Sequence, residues 1–342
     1  MNLNIGVLGA GSWGTALAIL LNKNGHKVTL WSAVEAEREE ILKFRTLSKR
    51  LPGIKIPEEI SITDDLKEAC ENKDLIVFAV ASPFVRATAA KAAPFIDRKI
   101  PVVNVAKGIE EESLNTLVEV IESEFIKDNE DKGDIAVLSG PSHAEEVSTG
   151  MPTTAVVGAF TEKTACFIQD AFMTERFRVY TSPDVTGIEL GGSLKNVIAL
   201  AAGVIDGLGY GDNSKAALIT RGISEIGRLG IKLGGKLETF AGLSGIGDLI
   251  VTCCSTHSRN HNAGFLIGKG KTADEAMKEV GQVVEGVYSA KAALKLSKKY
   301  DVDMPIVEKM NEVLFEGKNP KEAVTELLLR DKKTEHTTLS WD

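Results

Sequence analysis

A chain of 342 residues, 43% hydrophobic and 26% charged, is long enough for two domains and a substantial core, with the composition of a soluble globular protein. A net charge of −8 without a long basic run argues against a nucleic-acid binder, whose footprint would be a basic face, and leaves small anionic ligands open. Cys70, Cys166, Cys253 and Cys254 show no CxxC spacing, and a bridge between the adjacent pair would be strained, so reduced thiols in the cytoplasm are expected.

In chain order, the first 22 residues carry no charged side chain, which raises a signal or membrane segment. MNLN is not a basic start, and Gly6, Gly9, Gly11 and Gly14 break the apolar run, so neither segment is expected. The runs NIGVLG, KVTLW, DLIVFAV, PVVNVA and DIAVLS read as buried strands, and TTAVVG and RFRVY add strands near residues 153–180. Helical patterns such as TALAILLNK and VEAEREEILKF lie between them. Continuous apolar strands alternating with helices predict a parallel sheet covered on both faces. Beyond about residue 183 the period becomes helical over 184–206, 213–230, 258–268, 272–280, 285–300, 304–315 and 319–329. The expected division is an α/β domain over 1–183 and an all-α substrate and catalytic domain over 184–342, ending in the short polar tail DKKTEHTTLSWD.

GAGSWG, residues 9–14, is a GxGxxG that follows the strand NIGVL and opens a helical pattern. Gly9 suits the tight turn, Gly11 lets a pyrophosphate approach the backbone, and Gly14 lets helix and strand pack closely. The helix N-terminus then offers free N–H groups to the phosphates. The first domain is therefore expected to be a Rossmann-type sheet binding NAD or NADP. The choice between them stays open. The second strand ends Leu30-Trp31-Ser32-Ala33 with no acid until Glu35, and Arg38 lies a turn further on.

Several residues carry candidate chemistry. Lys107 follows PVVNVA, at the carboxyl end of a strand where open α/β sheets bind ligands; a solvated loop lysine is the plain alternative. SGPSHA, 139–144, follows the next strand in the same way, and its His143 suits either an acid–base role or a simple turn. Lys195 stands in GIELGGSLKNVIALAAGVIDG, apolar on nearly every side, where a lysine needs a partner or loses its proton. It is either a proton-transfer lysine or one that snorkels from the helix edge. Asp248 and Thr252, four apart, share a helical face; the aspartate either orients a lysine or caps a helix. Arg259-Asn260 beside Ser258 offers donors suited to a phosphate. Cys253, Cys254, His257 and His261 invite a zinc reading, but adjacent cysteines converge poorly on one ion, and no metal is expected.

GAGSWG, VAKGI, SGPSHAEE, GGSLKNVIALAAGVIDGLGYGDNSKAALITRG, GLSGIGDLIVTC, SRN and GQVVEG together resemble the bacterial NAD(P)-dependent glycerol-3-phosphate dehydrogenases over nearly the whole chain. The resemblance implies reversible hydride transfer between NAD(P)H and the C2 carbonyl of dihydroxyacetone phosphate, giving sn-glycerol 3-phosphate for glycerophospholipid synthesis. It implies Lys195 as proton donor and acceptor, Lys107 near cofactor and substrate, and Asn196, Asp248 and Thr252 in the active site. Gly140, Ser142, Ser258, Arg259 and Asn260 match substrate-binding positions. Ser12, Trp13, Ala144, Arg259, Val283 and Glu285 match cofactor-contacting ones. A homodimer is also implied. The family often has a basic or histidine residue just after the second strand; Ser32-Ala33-Val34 stands there instead, which puts NADP preference in doubt. The competing readings are a dinucleotide sensor that does no chemistry, which would not need a lysine in an apolar helix, and a related dehydrogenase of hydroxy acids.

Overall fold

The computed structural model describes residues 1–129, 131–332, 334 and 335, so most of the expected polar tail lies outside the described residues. Eight strands form one sheet: β1 Asn4–Leu8, β2 Lys27–Trp31, β3 Ser61–Thr63, β4 Leu75–Phe78, β5 Pro101–Asn104, β6 Asp134–Ser139, β7 Thr153–Gly158 and β8 Phe177–Ser182. Their order is β3-β2-β1-β4-β5-β6-β7-β8, which puts a topological switch point between β1 and β4. Alternate residues of β4 serve opposite faces. Leu75 and Val77 join the core with Leu17 and Leu21, whereas Ile76 and Phe78 join Val85 and Phe125 on the other side. Both faces are thus covered, as continuous apolar strands require.

Two details differ from the sequence reading. β6 and β7 pair antiparallel, Leu138 opposite Val157, so the sheet is mostly rather than wholly parallel. An apolar run buried on both faces has no polarity, so TTAVVG reads equally well in either direction. β3 was not foreseen either; three residues at an edge are too short to show an alternation.

After β8 every regular element is helical among the described residues. The helix Val185–Gly207 runs through the middle of this region with all but Thr186 and Asp206 buried. It has the length and hydropathy of a bilayer span, and its most apolar window is wholly enclosed by protein. The helix Arg259–Gly268 lies against it backbone to backbone. A Cβ on Gly264 would sit 1.9 Å from the Leu200 carbonyl oxygen, and one on Gly203 2.0 Å from that of His261. This contact fixes where Arg259 and Asn260 emerge. A π turn, Leu243–Gly247, precedes the helix Asp248–Cys254.

Candidate active site

The loops at the carboxyl ends of β1, β2, β4, β5 and β6 share one edge of the sheet, because these strands run parallel, and open α/β sheets bind ligands in the crevice there. At β1, Gly9 has φ +122°, and a Cβ there would meet the Val80 backbone nitrogen at 2.7 Å. A Cβ on Gly14 would meet the Gly9 carbonyl oxygen at 1.9 Å, so glycine is what lets the helix Ser12–Lys23 pack onto the strand. Gly11 faces open space. No side chain caps this helix, and the buried Trp13 Nε1 has no hydrogen-bond partner. An open cradle with unused N–H donors at a helix N-terminus fits a dinucleotide pyrophosphate. Ser12 donates its hydroxyl to the Arg50 carbonyl oxygen at 2.6 Å, which ties the segment around Leu51 over the loop. Ala144 packs with Ala16 and Leu51 in the same small cluster.

Across the cleft, Lys195 is buried and its Nζ donates to Asp248 Oδ1 at 2.6 Å and to Thr252 Oγ1 at 2.6 Å. Thr252 in turn donates to the Asp248 carbonyl oxygen at 2.6 Å, the i, i+4 geometry of one helical face. Lys107, after β5, donates to the other oxygen of the same carboxylate, Oδ2, at 2.6 Å, and to the Gly140 carbonyl oxygen at 3.2 Å. One aspartate therefore bridges two ammoniums, one from each half of the chain. Burial alone would push Asp248 up, and the charges of Lys107 and then Lys195 overcome it and hold the carboxyl below its ordinary value. Burial lowers Lys195 to about 8, against the pull of Asp248 and with the push of Lys107. Gly192 packs beside this contact: a Cβ there would lie 2.9 Å from Ser139 Oγ and 3.7 Å from Lys107 Cγ.

Ser142 donates to the Gly140 carbonyl oxygen at 3.1 Å, keeping this turn beside Lys107. Arg259, exposed to solvent, makes no hydrogen bond or ion pair among the described residues, and its charged neighbours are Glu285, Glu145 and Arg50. Ser258 is the N-cap of the Arg259 helix, its hydroxyl accepting from the His261 amide. Asn260 is more committed than a free phosphate donor would be. Its Nδ2 donates to Asn196 Oδ1 at 3.0 Å, and its Oδ1 accepts from the Gly286 amide at 2.8 Å. Val283 is half-buried in the turn before the helix Glu285–Tyr300. His143 Nε2 lies 3.5 Å from the Val251 carbonyl oxygen, its ring tilts against that of His257 with centroids 6.0 Å apart, and burial with the Lys195 charge pushes its imidazole below the ordinary value. The cysteines and histidines of CCSTHSRNH diverge: Cys253 is buried, Cys254 and His257 are exposed, and His261 Nε2 lies 2.7 Å from Asp206 Oδ2.

A family model described as the NAD-dependent glycerol-3-phosphate dehydrogenase N-terminus matches residues 4–165, and its C-terminal counterpart matches residues 184–325. A glycerol-3-phosphate dehydrogenase (NAD(P)+) of Agathobacter rectalis is 60% identical over 98% of this chain and 99% of its own. Another, of Fusobacterium nucleatum, is 56% identical over 97% of this chain and 98% of its own. The crystal structure of the Coxiella burnetii glycerol-3-phosphate dehydrogenase superposes with a TM-score of 0.92 at 37% identity, covering 96% of this chain and 99% of that one.

The chain belongs to the NAD-dependent glycerol-3-phosphate dehydrogenase family. Members are NAD(P)-dependent oxidoreductases, which sets aside a sensor that does no chemistry.

For a dehydrogenase of this family, the sequence reading missed one feature of the cleft and misjudged the reach of another. Ser82, after β4, donates its amide to Glu285 Oε1 at 3.1 Å and its hydroxyl to Glu285 Oε2. Its position after an apolar strand was the available signal, the same one that drew attention to Lys107. Arg38 is the second. Although it lies a turn into its helix, its Nη1 reaches back to the Ser32 carbonyl oxygen at 3.3 Å. Helical geometry folds the side chain onto the end of β2, which linear spacing conceals.

Proposed function

We propose that Lys195 is the proton donor and acceptor in the reversible interconversion of dihydroxyacetone phosphate and sn-glycerol 3-phosphate. The observation that carries this reading is the Asp248 carboxylate held between the Nζ atoms of Lys195 and Lys107. When bound, the nicotinamide supplies the hydride. Negative charge then grows on the C2 oxygen, and Lys195 gives it a proton, so that C=O becomes CH–OH. Lys107 adds a fixed positive charge beside the growing oxyanion. Asp248 and Thr252 aim the Lys195 ammonium and keep it charged. In the reverse direction neutral Lys195 takes the hydroxyl proton.

Gly9, Gly11, Ser12, Trp13 and Gly14 hold the dinucleotide, with Ala144, Val283 and Glu285 along its length. Arg259 binds the substrate phosphate with its unused guanidinium fork, assisted by the N-terminus of its own helix, by Ser258 and by Asn260. Gly140 and Ser142 shape the opposite wall, and Asn196 positions Asn260. Residues 1–183 form the dinucleotide-binding domain and 184–342 the substrate domain, a division supported by the last strand ending at Ser182 and the long helix starting at Val185. Four free cysteines support a cytoplasmic compartment. A homodimer and a supply role for glycerophospholipid synthesis rest on the family resemblance. The decisive experiment is Lys195→Ala, read by cofactor absorbance with dihydroxyacetone phosphate and by cofactor titration. Turnover is expected to fall at least about a hundredfold with cofactor affinity retained. Near-normal turnover would remove Lys195 from the role.

A further inference from the structure

The carboxyl end of β2 is where a dinucleotide lying over the GxGxxG loop presents its adenosine ribose, because the Gly9 amide donates to the Trp31 carbonyl oxygen at 3.0 Å. An enzyme that uses NAD alone commonly places a carboxylate there for the ribose hydroxyls; one that uses NADP places an arginine. This chain places both, and neither comes from the turn itself. Ser32 is buried, and Ala33 and Val34 carry no polar side chain. The carboxylate is Asp64, brought alongside by the pairing of Trp31 with Thr63, by the Ser32 amide donating to the Thr63 carbonyl oxygen at 3.0 Å, and by Trp31 Nε1 donating to the Asp64 carbonyl oxygen at 2.9 Å. The arginine is Arg38. Its Nη1 donates to the Ser32 carbonyl oxygen, and its Nη2 lies 3.0 Å from Asp64 Oδ2.

We propose that Arg38 takes the 2′-phosphate of NADPH and that Asp64 competes for the same guanidinium, so that this ion pair sets the balance between the two cofactors. The proposal rests on the dinucleotide lying over the glycine loop. The pair is asymmetric: the Arg38 side chain is 17% exposed and that of Asp64 65% exposed, so the arginine is fixed and the carboxylate is free to leave. An ion pair with one exposed partner is worth little, so exchanging it for a phosphate is cheap. A phosphate monoester also carries more charge than a carboxylate and presents oxygens that match the guanidinium fork. With NADH bound, Arg38 stays on Asp64 and the cleft loses nothing. The other nearby arginine is held by a less exposed partner, since Arg50 Nε donates to Glu37 Oε1 at 2.7 Å and the Glu37 side chain is 17% exposed.

The test is direct titration of NADPH and NADH by nucleotide fluorescence, with 2′,5′-ADP and ADP as competitors that report the ribose end without chemistry. Arg38→Met is expected to weaken NADPH and 2′,5′-ADP about ten- to a hundredfold while NADH and ADP move less than about twofold. Asp64→Asn is expected to tighten NADPH and 2′,5′-ADP several-fold and leave NADH in place. Arg38→Lys, which keeps the charge and loses the fork, is expected to fall between wild type and Arg38→Met. Equal weakening of all four ligands in Arg38→Met would reduce the arginine to a structural prop, and unchanged NADPH affinity would end the proposal outright. Should Arg38→Met fail to fold, Asp64→Asn decides alone: no shift in the NADPH-to-NADH ratio overturns the competition. Failure of the wild-type enzyme to bind either cofactor would instead overturn the glycine cradle, and this proposal with it.

Discussion

Lys195 is the residue whose chemistry depends most on its surroundings. Burial lowers it to about 8, while Asp248 opposes the fall. The two directions of the reaction need opposite forms of this lysine, so their pH profiles are expected to mirror each other. Ketone reduction needs the ammonium and should decline as pH rises through about 8. Alcohol oxidation needs the free amine and should decline as pH falls through the same region. Asp248→Asn removes a charge that supports the ammonium, so the reduction limb should move to lower pH. Profiles of kcat in both directions check this, and a limb that stays put in Asp248→Asn would detach the aspartate from the titration. Arg259 belongs to the same scale but to binding rather than chemistry. Arg259→Ala should raise the KM for dihydroxyacetone phosphate about tenfold or more with a smaller change in kcat. Steady-state kinetics check it, and an effect confined to cofactor affinity would exclude the phosphate role. The oddity of Lys195 was visible in the sequence because a charge interrupts an apolar helix. That Lys107 shares its carboxylate was not, since that contact joins the two halves of the chain, with Lys107 and Asp248 141 positions apart.

Among the elements, the glycine contact between the helices Val185–Gly207 and Arg259–Gly268 does most to place the site. Gly264→Ala would put a methyl group 1.9 Å from a backbone oxygen that cannot rotate away. Overpacking of this kind typically costs about 1–3 kcal/mol, so a lower Tm is expected, with KM for the phosphate substrate rising because Arg259 rides on the displaced helix. Thermal unfolding and substrate kinetics on the one variant test both halves; a change in Tm with unaltered KM would mean that the helix tilts without moving its N-terminus. Helix positions were readable because their apolar period survives in a buried environment. Strand direction at β7 was not, because the stretch between Ser139 and Thr153 is long enough for either a crossover or a reversal. The π turn at Leu243–Gly247 was also hidden, since its glycines and apolar residues suit an ordinary loop equally well.

Across the whole molecule, a second link beside the Lys107–Asp248–Lys195 contact joins the substrate and cofactor regions through a chain of hydrogen bonds. Asn196 accepts from Asn260, Asn260 accepts from the Gly286 amide, and the adjoining Glu285 accepts from Ser82 after β4. The chain starts one residue from Lys195 and ends on the dinucleotide-binding side of the cleft. Asn260 is its middle link, and both ends of its amide are in use, so it serves as a strut between two binding regions as well as a substrate ligand. Asn260→Ala leaves the Asn196 carbonyl and the Gly286 amide without partners in a buried setting, at about 1–3 kcal/mol for each unsatisfied group. The loss is therefore expected to spread. KM for dihydroxyacetone phosphate should rise, and NADH should bind about tenfold more weakly even with no substrate present, because Glu285 is no longer held in register. Fluorescence titration of NADH, with and without glycerol 3-phosphate, separates this from a purely local effect. A strut predicts that any mutual strengthening of the two ligands shrinks in the variant, since each ligand's gain from the other must be equal and both travel through the same amide. An intact NADH affinity beside a raised KM would confine Asn260 to the phosphate.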